Sequence, residues 1–164
     1  MDKIIQNLTN LVRMHKSLLD LATKKTDIIV ESNMEELDAL IKKEQAHVAA
    51  IEQLERQRQQ LVTDYLAAKG SAPSLTPTVA ELIEAADAPN KAKIQTIREE
   101  LLTIIDALKA KNELNQKMVY QSLQMVNMTL ELMRPRPAAQ ADTMNYSSKE
   151  VRRPANFSST SYEV

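Results

Sequence analysis

Apolar residues recur every three or four positions through most of this chain, and the recurrence breaks only around a few prolines and a single glycine. In the first segment the stripe is Ile4, Leu8, Leu11, His15, Leu18, Ala22 and Ile29, flanked by Ile5, Val12 and Leu19. A stripe of that width belongs to a helix that packs against more than one neighbour. It predicts a helix over 2–30. Ser32 or Asn33 then offers an N-cap, with Glu35 or Glu36 three residues on, as in a capping box.

A second stripe follows with almost no loop: Leu37, Leu40, Ile41, Val48, Ile51, Leu54, Leu61, Val62, Tyr65 and Leu66. It predicts a helix over 33–69, closed by Gly70, whose freedom to adopt left-handed backbone suits a helix C-terminus. The short connection makes the first two helices antiparallel neighbours. From Ser71 to Asn90 the pattern is interrupted by Pro73, Pro77 and Pro89. Thr76 before Pro77, or Thr78 with Glu81, can start a short crossover helix, placed over 77–86.

The last stripe runs along Ile94, Ile97, Leu101, Ile104, Ile105, Leu108, Met118, Val119, Val126, Leu130 and Met133. It predicts a helix over 89–133, about 65 Å long and longer than either partner. Its final turns crowd apolar groups onto more than one face: Met118, Val119, Leu123, Met125, Val126, Met128, Leu130, Leu132 and Met133. An antiparallel hairpin covers one face only, so the remainder is either a binding surface or a dimer seam. Methionine is unbranched and polarizable and adapts to partners of differing shape, which favours binding of another chain. The fold expected is therefore all-α: an elongated helical hairpin or three-helix bundle over 1–133. A flexible tail over 134–164 follows, too polar to offset its ordering cost and disordered when free. The tail's Tyr146, Phe157 and Tyr162 are either scattered solvated aromatics or anchors that order on binding.

Composition supports helices and narrows the chemistry. One glycine, four tyrosines, one phenylalanine and no tryptophan leave little for tight turns or an aromatic-rich sheet. The net charge of -1 gives no overall attraction to nucleic acid or an anionic membrane. Arg134, Arg136, Arg152 and Arg153 form only a modest basic cluster, read as solubilising. With no cysteine there is no disulfide, thiolate metal site or cysteine nucleophile, which suits a reducing compartment. The first residues lack the order of a signal peptide, and no apolar run approaches the roughly 20 residues that span a bilayer. A cytoplasmic protein without membrane insertion is expected.

Candidate chemical groups fall short of a site. His15 and His47 lie on or near apolar stripes, and Glu44 with His47 is only an i, i+3 pair, so no metal site is assigned. A single glycine cannot build a phosphate loop or a nucleophile elbow, so no catalytic or cofactor-binding residue is assigned and no enzyme is expected. Glu44, Arg58, Asn112 and Asn115 interrupt the stripes; they are read as register-fixing polar residues, with a polar cross-link of the hairpin as the alternative.

Three strings carry a resemblance. Asp27 to Leu37 (DIIVESNMEEL), Leu54 to Leu61 (LERQRQQL) and Asn112 to Met118 (NELNQKM) occur in the order and spacing of the flagellar type III export chaperones called FlgN, over residues 1–146. The chain resembles that family in overall length and helix order as well. The resemblance implies a cytoplasmic chaperone without ATPase activity. Its clients would be the first and third hook-associated proteins of the hook–filament junction, kept from premature assembly and delivered to the export apparatus. It also implies a C-terminal helix that clasps the coiled-coil-forming termini of the client. A tyrosine past that helix contacts the cytoplasmic domain of the export gate in the family; the matching position is Tyr146, followed here by Ser147-Ser148-Lys149-Glu150. The alternative is a structural coiled-coil protein, homodimeric through its C-terminal helix, with no client.

Overall fold

A computed structural model describes residues 1–70 and 77–134, and all of its regular elements are helices. They are α1 (Asp2–Glu31), α2 (Met34–Ala68), α3 (Val79–Ala85) and α4 (Ala88–Met133). These bounds differ from the expected ranges by at most two residues at either end. The tail, with Arg136, Tyr146, Arg152, Arg153, Phe157 and Tyr162, lies outside the described residues, as does Pro73.

Local chemistry accounts for the turns. At the α1–α2 turn the two candidate caps divide the work. Ser32 closes α1 in left-handed backbone (φ 58°), and the Asn33 N–H donates back to the Ile28 carbonyl. Asn33 opens α2, its Oδ1 accepting from the Glu36 N–H at 3.2 Å while its Nδ2 donates to Glu36 Oε2 at 3.1 Å. One residue thus satisfies an otherwise unpaired N–H of the first turn and fixes the reversal. Gly70 stands just past α2 at φ 78°, where a side chain would meet the left-handed penalty. Of the two possible starts for α3, Thr78 is the cap, its hydroxyl accepting from the Glu81 N–H at 3.2 Å.

Helix α1 is the centre of the molecule. It packs against α2 on one side and α4 on the other. Among the described residues, α2 and α4 have no Cα atoms within 8 Å of each other. The three long helices form a bundle centred on α1 and joined by a shared core, with α2 and α4 standing apart from each other. Helix α4 runs in the same direction as α1: Lys16 reaches Glu100 and Ala22 meets Asn115.

At the lower end, α3 lies between α2 and α4 and touches both. Its Val79, Leu82 and Ile83 join a core with Ile4, Leu8 and Leu11 of α1, Val62 and Leu66 of α2, and Ile94 of α4. A smaller cluster of Val12, Leu101 and Ile104 seals the α1–α4 seam. Burial of these aliphatic side chains, at about 1.5–3 kcal/mol each when complete, is the main cohesive term. It is concentrated below Asn115.

Candidate partner-binding surface

Burial along α4 stops abruptly. Ile94, Leu101, Ile104 and Asn115 are its buried residues. Asn115, at 3% exposure the last of them, donates from Nδ2 to the Ala22 carbonyl at 2.8 Å and accepts from the Thr26 hydroxyl at 2.7 Å. A further 18 residues of α4 follow it, about 27 Å of helix. Helix α1 continues for only nine residues past Ala22, about 14 Å, so α4 projects beyond the α1–α2 turn.

On this projecting segment only Met118 is half-buried. Val119, Leu123, Met125, Val126, Met128, Leu130, Leu132 and Met133 are exposed, from 37% at Val119 to 85% at Leu132. The sequence singled out these residues because a hairpin could cover one of their faces. In the structure the hairpin covers almost none of them. Tyr120 and Leu114, which the sequence reading passed over, are exposed on the same helix. Val30 and Met34 are exposed at the hairpin tip, which the sequence did not predict to be apolar surface. A wider count of apolar residues outside the stripes would have found all four.

Beside the lower turns of this segment, and below it, the gap between α2 and α4 is open. Two adjoining clefts of about 460 and 750 Å³ occupy it, sharing Leu18, Val48 and Asn112 in their walls. The floor is α1 (His15, Leu18), one wall is α2 (Val48, Ile51, Gln59) and the other is α4, from Ile105 to Leu123. The half-exposed state of Val48, Ile105 and Leu108 follows from this gap. Their stripe positions face a neighbour that stands too far away.

The polar residues that interrupt the stripes act mainly between helices. Lys25 and Glu44 form a largely buried ion pair at 2.6 Å. Arg58, also buried, pairs with Glu55 at 2.7 Å and donates from Nη1 to the Pro77 carbonyl at 3.2 Å, tying α2 to the start of α3. The His15 Nδ1–H donates to the Leu11 carbonyl at 2.8 Å within its own helix. His47 donates from Nδ1 to the Lys43 carbonyl at 2.9 Å, and in that tautomer its Nε2 accepts from the Ser17 hydroxyl at 2.9 Å. Asn7, which the sequence did not flag, is buried and donates to the Leu54 carbonyl at 3.2 Å. Asn112 differs from the other three interrupting residues: it is exposed and lines the open gap. Among the described residues no three His, Asp or Glu side chains gather as a metal site, and no helix is long and apolar enough to cross a membrane.

The arrangement suits helix-to-helix recognition: a long exposed apolar helix end and a cleft continuous with it. Comparison with known proteins identifies the family. The family model described as "FlgN protein" matches residues 1–152. A protein of Bacillus subtilis (strain 168) described as "Uncharacterized protein YvyG" is 26% identical over 144 residues, 88% of this chain and 84% of that protein. No solved structure matches the chain.

Proposed function

The chain belongs to the FlgN family of flagellar export chaperones, and from that membership we propose that it binds the first and third hook-associated proteins in the cytoplasm. It keeps their coiled-coil-forming ends from assembling and presents them to the export apparatus. Client helices lie along residues 118–133, covering the Met-rich end of α4. Tyr146, outside the described residues, is the proposed contact with the cytoplasmic domain of the export gate.

The observation that carries this reading is the exposed apolar end of α4. Leaving eight of these apolar side chains in water on 15 residues of helix gives up burial that a folded monomer would ordinarily gain, so a second chain is the natural cover. The same surface favours one other reading, self-association of α4 without a client.

Solution mass separates the two, measured alone and with a purified hook-associated protein. A client-binding chaperone shifts to a hetero-complex. A structural dimer keeps its mass whatever is added. Replacing Met125, Val126 and Leu130 with Ser supplies the residue-level test. Those side chains are 73%, 54% and 59% exposed, so the molecule gains little from them when free. Burying the exposed part in a complex is worth about 4 kcal/mol in total, near a thousandfold in Kd. The triple variant should lose the client and keep its helix content. Loss of helix content would mean that these side chains are core and the surface is misplaced.

A further inference from the structure

We infer that the gap between α2 and α4, above α3, is a seat for one amphipathic helix of the client, laid in line with α3 and continuing up the same side of α4. This rests on the chaperone reading above and adds a second, separable part to the binding surface.

The lower end of the gap already shows what fills it. Helix α3 lies between α2 and α4 with Val79, Leu82 and Ile83 buried, an i, i+3, i+4 set aimed at the core. It enters beside Arg58, which donates to the Pro77 carbonyl, and leaves beside Tyr65, whose hydroxyl donates to the Ala85 carbonyl at 3.4 Å. Beside Arg58 the lining passes to Arg56 and Gln59, and the cleft is open from there up to Leu123. The slot is thus one feature, occupied by the chain's own helix below and vacant above. Along α4 the vacant part spans Ile105 to Leu123, about 27 Å or five turns of helix.

The α4 wall specifies the occupant further. Positions 105, 108, 112, 116, 119 and 123 line the clefts, and the same line continues through Val126 and Leu130, which are exposed. From Leu108 the steps are 4, 4, 3, 4, 3 and 4, the alternation of a coiled-coil seam. That seam has no partner among the described residues beyond the α1 floor. Leu18, Val48, Ile51, Ile105, Leu108 and Leu123 make the exposed lining of the slot mostly apolar, with Asn112, Asn115 and Gln116 as polar positions along its α4 wall. The rims carry both signs, Glu52 and Arg56 on α2 against Lys109 on α4. Mixed rims disfavour a nucleic acid or a strongly acidic peptide and suit a helix with an a/d stripe of Leu, Ile or Val and mixed charged flanks.

The chain lacks cysteine, so single thiols can be introduced into the full-length protein and their reaction with a maleimide followed. The sites are Asn112→Cys in the slot, Met128→Cys on the projecting end and Gln53→Cys on the opposite side of the α1–α2 pair, all exposed in the free chain. The probe is purified first hook-associated protein, with complex formation read by mass. The inference expects labelling of Asn112→Cys to slow about tenfold or more in the complex, with Gln53→Cys unchanged. It also expects Asn112→Trp, which fills the slot from an exposed position, to weaken the complex by about tenfold or more.

A complex that forms while Asn112→Cys reacts as in the free chain overturns the slot and leaves the chaperone reading standing, with Met128→Cys reporting the projecting end. Absence of any complex with the unmodified chain overturns the chaperone reading itself. Protection of Asn112→Cys in the client-free protein also overturns the inference. It identifies a second copy as occupant if it rises with protein concentration, and the chain's own residues 135–164 if deleting them removes it.

Discussion

Asn115 is the last point at which α4 is fastened to the rest of the molecule, and replacing it tests whether the fastening is local. Its amide makes two hydrogen bonds to α1, to the Ala22 carbonyl at 2.8 Å and from the Thr26 hydroxyl at 2.7 Å. A typical intramolecular hydrogen bond is worth about 1 kcal/mol net, because the unfolded chain regains water. Asn115→Ala would leave no polar group stranded. The Thr26 hydroxyl also donates to the Ala22 carbonyl at 3.3 Å, so each of the two former partners keeps the other. The cost is therefore the two bonds plus a small void, about 2–3 kcal/mol.

For a folded part of this size, 1 kcal/mol moves Tm by about 3–5 °C, so the midpoint should fall by roughly 6–15 °C. Urea unfolding followed by far-UV circular dichroism gives the same quantity isothermally. Thr26→Val, which removes only one of the two bonds, should cost about 1 kcal/mol. The double variant should cost no more than Asn115→Ala alone, because the shared bond would otherwise be counted twice; the coupling is about 1 kcal/mol. If Asn115→Ala unfolds within about 0.5 kcal/mol of the parent, or if the two changes simply add, the buried amide is not what holds α4 on α1.

Two further changes probe how the frame is held. Arg58→Ala removes a buried guanidinium that ties α3 to α2; it should cost about 3 kcal/mol, and Arg58→Met, which keeps the packed stem, roughly half as much, both read by urea midpoint. An unchanged midpoint for Arg58→Ala would mean that α3 is seated by its aliphatic residues alone. Ser32→Gly should raise stability by about 0.5–1 kcal/mol, since Ser32 holds left-handed backbone at φ 58°. A loss instead would show that the serine side chain contributes something its backbone conformation does not require.

The elements of this fold were legible because each helix carries its own stripe and its own stop signals. The α1 stripe from Ile4 to Ile29 was read correctly because both of its sides are covered, one by α2 and one by α4. On α2 the reading overcounted. Leu37, Ile41, Val48, Leu54, Leu61 and Tyr65 are only half-buried, since α4 stands away from α2 and only the short α3 covers its lower end. Periodicity reports which side of a helix is apolar and carries no information on what covers it. The projecting end of α4 was found for a different reason, by comparing the length of the third helix with the length of its partners. The slot was missed because it depends on the spacing between α2 and α4, which no local pattern encodes. Asn7 was missed because a lone Asn beside an apolar stripe looks like surface.

The projecting end has two faces, and the slot separates their roles. At about 100° per residue, Val119, Leu123, Val126 and Leu130 cluster within roughly 60° of one another, on the side that continues the slot. Met118, Met125, Met128 and Leu132 span roughly 80° centred about 150° away, on the other side. A single helix covers little more than a 100° stripe, so one occupant in the slot leaves the methionine face exposed. The two faces also differ in kind. The first is aliphatic and heptad-spaced, a surface that selects one register. The second is flexible thioether, a surface that tolerates several. A client that buries both must therefore bring two helical segments, one aligned by the seam and the other held more permissively by the methionines. A client with one segment would protect Asn112→Cys and leave Met128→Cys reactive.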